Sequence, residues 1–188
     1  MIIDINKILT GKVVSVIATG NSLRGFDFAM IPGYRIAVND AVKYITADML
    51  VALDAKWWQK NKEASDNFKG IKISQNGTIT KDVKIIQFEP YNNHDWYFQK
   101  ANNTGYAALA IALHLGARKV YLFGFDGGWS KYKYFYSEGT LTHPGVYLSN
   151  MYFEYFRYRT VVNVNNKSHI DCFHKVNFNE FCSCHTNT

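Results

Sequence analysis

Residues 102–126, which read NNTGYAALAIALHLGARKVYLFGFD, decide the fold. A polar Asn-Thr-Gly turn leads into an apolar stretch at 106–115 that predicts a helix, and Gly116 marks its end because glycine commonly closes helices. The run KVYLF at 119–123 then predicts a buried central strand, which opens on Asp126. This order places backbone N–H groups and a threonine hydroxyl at a helix N-terminus, where the helix dipole favours an anion.

The rest of the chain alternates strand-like and helix-like segments. Strands are expected at 12–18, 34–38, 49–53, 70–74, 83–88 and 160–164, and helical segments at 23–30, 41–45, 55–62 and 147–159. This alternation predicts a single Rossmann-like α/β domain, with a mainly parallel sheet flanked by helices. The aromatic, glycine-containing stretch 130–146 has the size of a lid loop. We assign residues 1–170 to one nucleotide-binding domain and residues 171–188 to a C-terminal tail.

Composition limits the class of protein. With 188 residues, 47% hydrophobic and 19% charged, the chain has the make-up of one globular domain. The net charge of +6 suits a phosphate-bearing partner, although the basic residues form no run of the kind that marks nucleic-acid binding. No signal peptide and no apolar run of the roughly 18–20 residues that span a bilayer is visible. The three cysteines lie together near the C-terminus, unlike a secreted disulfide framework, so a cytoplasmic protein is expected.

Polar residues follow nearly every predicted strand. In open parallel sheets, ligands bind at the carboxyl ends of the strands, near the point where strand order reverses. Short amides and hydroxyls there can donate to phosphate, ribose and base atoms. The same residue types are also the usual turn formers and helix caps, so each single position keeps that second interpretation. The strand-end residues are Thr19, Asn21, Ser22, Asn39, Asp40, Asp54, Asp126, Asn165, Asn166 and Ser168.

Three motifs together carry a family resemblance: ATGNSL at 18–23, NTG at 103–105 before the apolar helix, and VYLFGFD at 120–126. In this order they resemble the bacterial, Campylobacter-type sialyltransferases that use CMP-sialic acid. They also look like the wider group of hydroxymethylpterin-diphosphokinase-like proteins and motility-associated glycosyltransferases. The resemblance runs from residue 12 to about residue 168. It implies a metal-independent glycosyltransferase that transfers a sugar from a nucleotide donor, a CMP-sugar, to a saccharide or other hydroxyl acceptor with inversion.

The resemblance also implies roles for individual residues. His143, in the lid, matches the family's general base, and imidazole suits proton removal near neutral pH. Tyr134 is the best match to the lid tyrosines that hold the departing phosphate in place of a metal. Asp54 stands where those enzymes have an asparagine. The implied nucleotide contacts are Thr19, Gly20, Asn21, Ser22, Asn39, Asp54, Asn103, Thr104, Gly105, Asp126, Asn166 and Ser168.

Several alternatives stay open at this point. A Mg²⁺-dependent diphosphokinase on the same scaffold would use Asp40, Asp54 and Asp126 as metal ligands. A non-catalytic nucleotide-binding protein of a phage or mobile element would use the same pocket without turnover. DNA is an alternative acceptor, and the oligomeric state is left open. A zinc site is not expected, because the spacings at the C-terminus are not those of a standard finger or knuckle; its ligands would come from Cys172, His174, Cys182, Cys184 and His185.

Overall fold

The computed structural model describes residues 7–74, 84–85, 103–127, 134–136, 153–157 and 159–185. Its strands are β1 (Val13–Ile17), β2 (Tyr34–Val38), β3 (Met49–Val51), β4 (Ile71–Ser74), β5 (Lys84–Ile85), β6 (Lys119–Phe123), β7 (Val161–Asn163) and β8 (His174–Lys175). They form one sheet in the order β5-β4-β3-β2-β1-β6-β7-β8, and every neighbouring pair is parallel. The predicted α/β class, with its parallel sheet, is confirmed.

The α-helices are α1 (Ala55–Lys60), α2 (Lys62–Asn67), α3 (Thr104–His114) and α4 (Phe178–His185). Two of the expected helical segments, 23–30 and 41–45, were wrong in type, since 3₁₀ helices lie there instead. Both segments are too short, or too rich in turn-forming residues, to complete an α-helical turn against the core. Of the helix expected at 147–159, residues 147–152 and 158 lie outside the described residues. The 3₁₀ helices are Asn21–Leu23, Phe28–Met30, Asn39–Lys43 and Glu154–Phe156. No helix among the described residues is long and apolar enough to cross a membrane.

Strand β1 sits at the point where the chain changes direction across the sheet. From β1 the chain moves outward through β2 to β5, and it then returns to the other side of β1 with β6. Ile17 therefore lies beside Ala37 on one neighbour and Phe123 on the other. The carboxyl ends of β2, β1 and β6 consequently border the one place in such a sheet where a crevice is expected.

The core has two layers, one on each face of the sheet. Along β6, Val120 and Leu122 belong to the layer that holds α3, whereas Tyr121 and Phe123 belong to the opposite layer. This division follows from the period of two along a strand, which sends successive side chains to opposite faces. Because both faces are covered, the strands carry the continuous apolar runs that the sequence shows.

Helix α3 is buried on nearly all sides. Every residue from Gly105 to Ala112 is buried, and four of these eight are alanines, which let the helix approach the sheet closely. Gly116 ends the helix as predicted. Its φ is +95°, its N–H donates to Leu113 O at 3.1 Å, and the next N–H, of Ala117, donates to Ala112 O at 3.1 Å. These two bonds form the Schellman motif, which satisfies the last carbonyls of the helix.

The segment treated in the sequence analysis as a C-terminal tail contributes to the domain. Strand β8 pairs with β7, and α4 places the Phe181 ring against Phe123 and Tyr121, with centroids 5.3 and 4.9 Å away. Phe181 is buried. The strand at 161–163 is therefore not the last one. A two-residue strand such as β8 carries too few side chains to show a period in the sequence.

The burial of α3 leads to a stability prediction. Leu109 is fully buried, while Leu113, one turn later, is partly exposed. We expect Leu109→Ala to lower the free energy of unfolding by about 2–5 kcal/mol, since it leaves a cavity between helix and sheet. The matched change Leu113→Ala should lower the free energy of unfolding, measured with urea, by clearly less. Equal costs at the two positions would contradict the packing described for α3.

Candidate functional site

The turn after β1 is fastened to the loop after β6. Ala18 N donates to Phe123 O at 2.8 Å, and Gly20 N donates to Gly124 O at 3.1 Å. A Cβ at Gly20 would stand 2.3 Å from the Gly124 oxygen and 2.7 Å from the Asp126 carboxyl carbon. Only glycine allows the two backbones to approach this closely. The switch point of the sheet is thus built from two loops in direct contact.

The Asp126 carboxylate completes this junction. One oxygen accepts the Ser22 N–H at 3.0 Å, and the other accepts the Ser22 hydroxyl and the Asn165 amide, the latter at 3.0 Å. Asp126 therefore joins the ends of β1, β6 and β7. The amides of Gly20 and Ser22, which the sequence analysis assigns to a phosphate, already have acceptors within the chain. The anion at this turn is the protein's own carboxylate.

The N-terminus of α3 lies against the same β6 loop from the other side. A Cβ at Gly105 would stand 3.0 Å from the Phe125 ring, so a larger residue here would have to push the ring aside. Asn103 caps the helix, since its Oδ1 accepts Tyr106 N at 3.1 Å and its carbonyl accepts Ala107 N at 3.1 Å. In the described part of the chain no hydrogen bond uses the first two amides of the helix, those of Thr104 and Gly105. These two donors are the ones that a helix N-terminus offers to an anion.

The end of β2 presents a strained asparagine. Asn39 has a φ of +51°, and its side-chain oxygen is buried without a hydrogen-bond partner in the described structure. Asparagine tolerates the left-handed conformation better than most residues. A buried carbonyl oxygen that accepts no hydrogen bond costs about 1–3 kcal/mol. This oxygen is therefore an acceptor that a ligand N–H would satisfy.

Asp40, the next residue, binds three donors from separate segments. It accepts hydrogen bonds from Lys43 Nζ at 2.8 Å, Tyr136 Oη at 2.9 Å and Trp57 Nε1 at 3.1 Å. Burial raises the pKa of Asp40, but the hydrogen bonds from its three donors outweigh this effect and hold the pKa below its usual range. Conversely, burial and the bond to Asp40 raise the pKa of Tyr136 well above that of a free tyrosine. At neutral pH the pair is a carboxylate that accepts from a phenol.

The short described piece of the lid, residues 134–136, lies over these strand ends. Phe135 N donates to Thr19 O at 3.2 Å. The Tyr134 ring stacks on Tyr136 at 5.2 Å and 13°, and Tyr136 stacks on Tyr44 at 4.7 Å and 18°. Tyr134, the predicted phosphate ligand, is thus placed at the carboxyl edge of the sheet. The other lid residues, His143 among them, lie outside the described residues.

Several of the expected nucleotide contacts act as helix caps or as loop supports. Asp54 Oδ1 accepts Lys56 N at 2.8 Å and so caps α1. Ser168 is buried, and its hydroxyl donates to Phe125 O at 2.6 Å. Asn166 is exposed. The side-chain oxygen of Asn21 accepts a hydrogen bond from Arg24 Nε at 3.4 Å. The side-chain oxygens of Asp54 and Asn103 are therefore helix caps, the second of the two interpretations given for such residues.

The sequence analysis did not single out Asn163, and it did not indicate two of the side-chain pairs at the site. Asn163, at the end of β7, is fully buried and donates to Phe125 O at 3.0 Å. The Asp40–Tyr136 bond spans 96 positions, and the Asn165–Asp126 bond spans 39. Asp40 and Asn165 were recognised as strand-end residues, but no spacing in a single sequence indicates which distant side chain each one meets.

Among the described residues, no three His, Cys, Asp or Glu side chains are grouped as a metal ion would need. Cys172 packs against the layer that holds α3, and Cys182 packs against the opposite layer, so the sheet separates the two thiols. Burial raises the pKa of the Cys172 thiol to about 11. A protonated, buried thiol is a poor metal ligand, because zinc binds the thiolate. The side chains of Cys184 and His185 lie outside the described part.

Comparison with known proteins identifies a solved structure with a similar fold. No family model matches the chain, and no curated protein sequence matches it. Among solved structures, the fold is similar to that of the sialyltransferase CstII from Campylobacter jejuni, solved in complex with a substrate analogue, CMP-3FNeuAc. The TM-score is 0.60, with 13% sequence identity over 88% of this chain and 86% of that chain. At this identity the likeness shows a shared Rossmann-like α/β fold across nearly the whole of both chains.

The three bonds to Asp126 make its carboxylate important for stability. We expect Asp126→Asn to lower the free energy of unfolding by about 1.5–3 kcal/mol, since an amide cannot accept on both sides of the junction. Asp66→Asn, an isosteric change at an exposed carboxylate of α2, should stay within about 0.5 kcal/mol. Urea unfolding of both variants measures the difference. If Asp126→Asn leaves the free energy of unfolding unchanged, the junction does not depend on the charge of the carboxylate.

Proposed function

We propose that this chain is a glycosyltransferase-like protein that binds a nucleotide-activated sugar, a CMP-sugar in the first instance, at the carboxyl ends of β2, β1 and β6. The observation that carries the proposal is the convergence of two predicted turns on one loop. Gly20 packs against Gly124 and Asp126, and Gly105 packs against Phe125. Gly20 and Gly105, which are 85 positions apart in sequence, thus border the same switch point. The shared fold with a sialyltransferase supports this proposal.

The phosphate group belongs at the N-terminus of α3 in this proposal. Thr104 and Gly105 supply backbone amides there, and Thr104 adds a hydroxyl. The positive end of an 11-residue helix favours the negative charge. The turn at Gly20–Ser22 is the less suitable place, because Asp126 would repel a phosphate that competed for the Ser22 amide. That turn instead forms the wall of the crevice.

The base would be recognised by Asn39. Its buried oxygen can only accept, so it selects a base edge that carries an N–H donor. Cytosine and adenine present an exocyclic amine, whereas the corresponding position of uracil is a carbonyl oxygen. An oxygen facing the Asn39 oxygen would leave two buried acceptors without a donor, which is costly. The 4-amino group of a cytidine derivative would satisfy this oxygen, whereas a uridine derivative could do so only through its N3–H, so the proposal favours cytidine.

The transfer itself would be a single displacement. The acceptor hydroxyl gives its proton to His143 as its oxygen bonds to the anomeric carbon from the face opposite the nucleotide. The bond from that carbon to the phosphate oxygen breaks, and the nucleotide monophosphate leaves with the bonding electrons. Amides at α3 and the Tyr134 hydroxyl would stabilise the charge on the departing phosphate. These roles of His143 and Tyr134 rest on the family resemblance described above.

Nucleotide binding is the first test. We expect CMP to raise the melting temperature more than CDP, UDP, GDP or ATP in a thermal-shift panel, with UMP as the matched pyrimidine control. A ligand at about 100 times its Kd stabilises by about 2.7 kcal/mol, which is roughly 5–10 °C for a chain of this size. A preference for ATP that requires Mg²⁺ would favour the diphosphokinase alternative. No shift with any of the nucleotides would contradict the proposal.

A substitution at Asn39 tests the recognition of the base. Asn39→Gly removes the amide but keeps a residue that adopts positive φ freely, so the turn should survive. We expect the affinity for CMP to fall about tenfold. Asn67→Ala, which removes an exposed amide from α2, should leave the affinity unchanged. Isothermal titration of the three proteins measures this, and an unchanged affinity in Asn39→Gly would remove Asn39 from the site.

Substitution of His143 separates catalysis from binding. We expect His143→Ala to abolish sugar transfer from a CMP-sugar while the nucleotide Kd stays within a few-fold, because a general base acts on the acceptor. His114→Ala, at the exposed end of α3, is the control and should transfer normally. The assay includes EDTA, to which metal-independent transfer is insensitive. CMP binding without transfer by the unmodified protein, across a panel of CMP-sugars, would indicate the non-catalytic alternative.

A further inference from the structure

We propose that Asp40 is a positioning residue for the nucleotide site: its carboxylate holds the β2 end, α1 and the lid piece in the arrangement that binds the nucleotide. The inference rests on the proposed function, because its readout is nucleotide affinity. It assigns to Asp40 a role that is neither ligand contact nor metal coordination. The sequence analysis considered Asp40 only as a strand-end residue and as a metal ligand in the diphosphokinase alternative.

The first observation is the set of donors that Asp40 collects. Lys43 lies in the same 3₁₀ helix, Trp57 lies in α1, and Tyr136 lies in the lid piece. All three distances, 2.8, 3.1 and 2.9 Å, are those of good hydrogen bonds. The side chain of Asp40 is 28% exposed, so the carboxylate is partly withdrawn from water and its hydrogen bonds are stronger than surface ones. One side chain thus holds three segments together.

The second observation is the strain in the neighbouring residue. Asn39 holds a left-handed backbone, which a non-glycine residue keeps only when its surroundings fix it. The donors on Asp40 fix the turn immediately after Asn39, on the side of the sheet edge where α1 and the lid piece lie. Without them, Asn39 can relax toward an ordinary conformation and carry its buried oxygen away from the crevice. The carboxylate therefore determines where the acceptor points.

The third observation connects Asp40 to the β1 turn. Tyr136 is anchored on Asp40, and the adjacent Phe135 donates its N–H to Thr19 O at 3.2 Å. The Phe135 ring also packs between Phe28 and Tyr44, with centroids 5.5 and 5.1 Å away. The lid piece is thus tied at one end to the β2 loop and at the other to the β1 turn. This bridge fixes the distance between the two walls of the proposed crevice.

A bridge of this kind acts on affinity through preorganisation. A site whose walls are already spaced for the ligand does not lose free energy in ordering them when the ligand binds. The Asp40–Tyr136 hydrogen bond can be broken by removing a single oxygen atom. Tyr136→Phe deletes the hydroxyl and keeps the ring stacked between Tyr44 and Tyr134. That variant retains the apolar contacts, so the fold should be preserved.

The experiment measures nucleotide Kd by titration at a temperature where each variant is fully folded. We expect Tyr136→Phe and Asp40→Ala each to weaken CMP binding about tenfold. The double variant should be no weaker than Asp40→Ala, because both changes break the same bridge. Asp40→Asn keeps an acceptor oxygen and should recover part of the loss. A residue with a merely structural role would lower the melting temperature without changing Kd under these conditions.

Two matched controls accompany these variants. Tyr34→Phe deletes a hydroxyl at the opposite end of β2, and Asp66→Asn neutralises an exposed carboxylate on α2; both should bind CMP like the unmodified protein. CMP binding that is unchanged in Tyr136→Phe and Asp40→Ala overturns the inference and leaves the proposed function standing. An unmodified protein that binds no nucleotide overturns both. If Asp40→Ala does not fold, Tyr136→Phe alone decides the question.

Discussion

The contact between the β1 turn and the β6 loop is the constraint on which the site depends. Gly20 and Gly124 bring two backbones together at a distance that no side chain would permit, and Asp126 closes the junction through Ser22 and Asn165. Because β1 and β6 are neighbours at the reversal of strand order, this contact fixes the geometry of the crevice edge. The helix N-terminus, the lid piece and the β2 loop are all positioned relative to it.

The junction also changes how the anion-binding motif should be understood. A glycine turn at the end of a first strand suggests a phosphate cradle, yet here the chain supplies its own anion to that turn. The internal carboxylate stabilises the loop in the absence of ligand, as a phosphate would in a nucleotide-filled turn. Within the described residues, the amides of Thr104 and Gly105, at the start of α3, instead have no acceptor. Under the proposed function, the two glycine turns therefore have different tasks: one supports the wall, and the other binds the charge.

The sequence predicted the central part of the fold well, because it is encoded locally. The apolar run before Gly116 and the KVYLF strand carry unambiguous periods and a helix stop, and α3 and β6 lie where expected. The errors have equally local causes. Strand β8 is two residues long, and the 3₁₀ helices lie in short segments that resemble α-helices in composition. The side-chain pairs at the site, such as Asp40 with Tyr136, join segments that meet only in the folded chain, so no local pattern could indicate them.

Under the proposed function, the distribution of charge at the strand ends favours the helix N-terminus as the place for a phosphate. Asp126 and Asp40 both lie at this edge, and each is satisfied by donors of the protein: Asp126 by Ser22 and Asn165, and Asp40 by its three partners. Two carboxylates that pointed freely into the crevice would repel an anionic ligand. Here the protein's own donors hydrogen-bond to the carboxylate oxygens and stabilise their negative charge. A divalent ion at the same oxygens would compete with these donors. Among the described residues, none accepts a hydrogen bond from the amides of Thr104 and Gly105, so a phosphate bound there would gain the helix dipole without competing with an acceptor in that part of the chain.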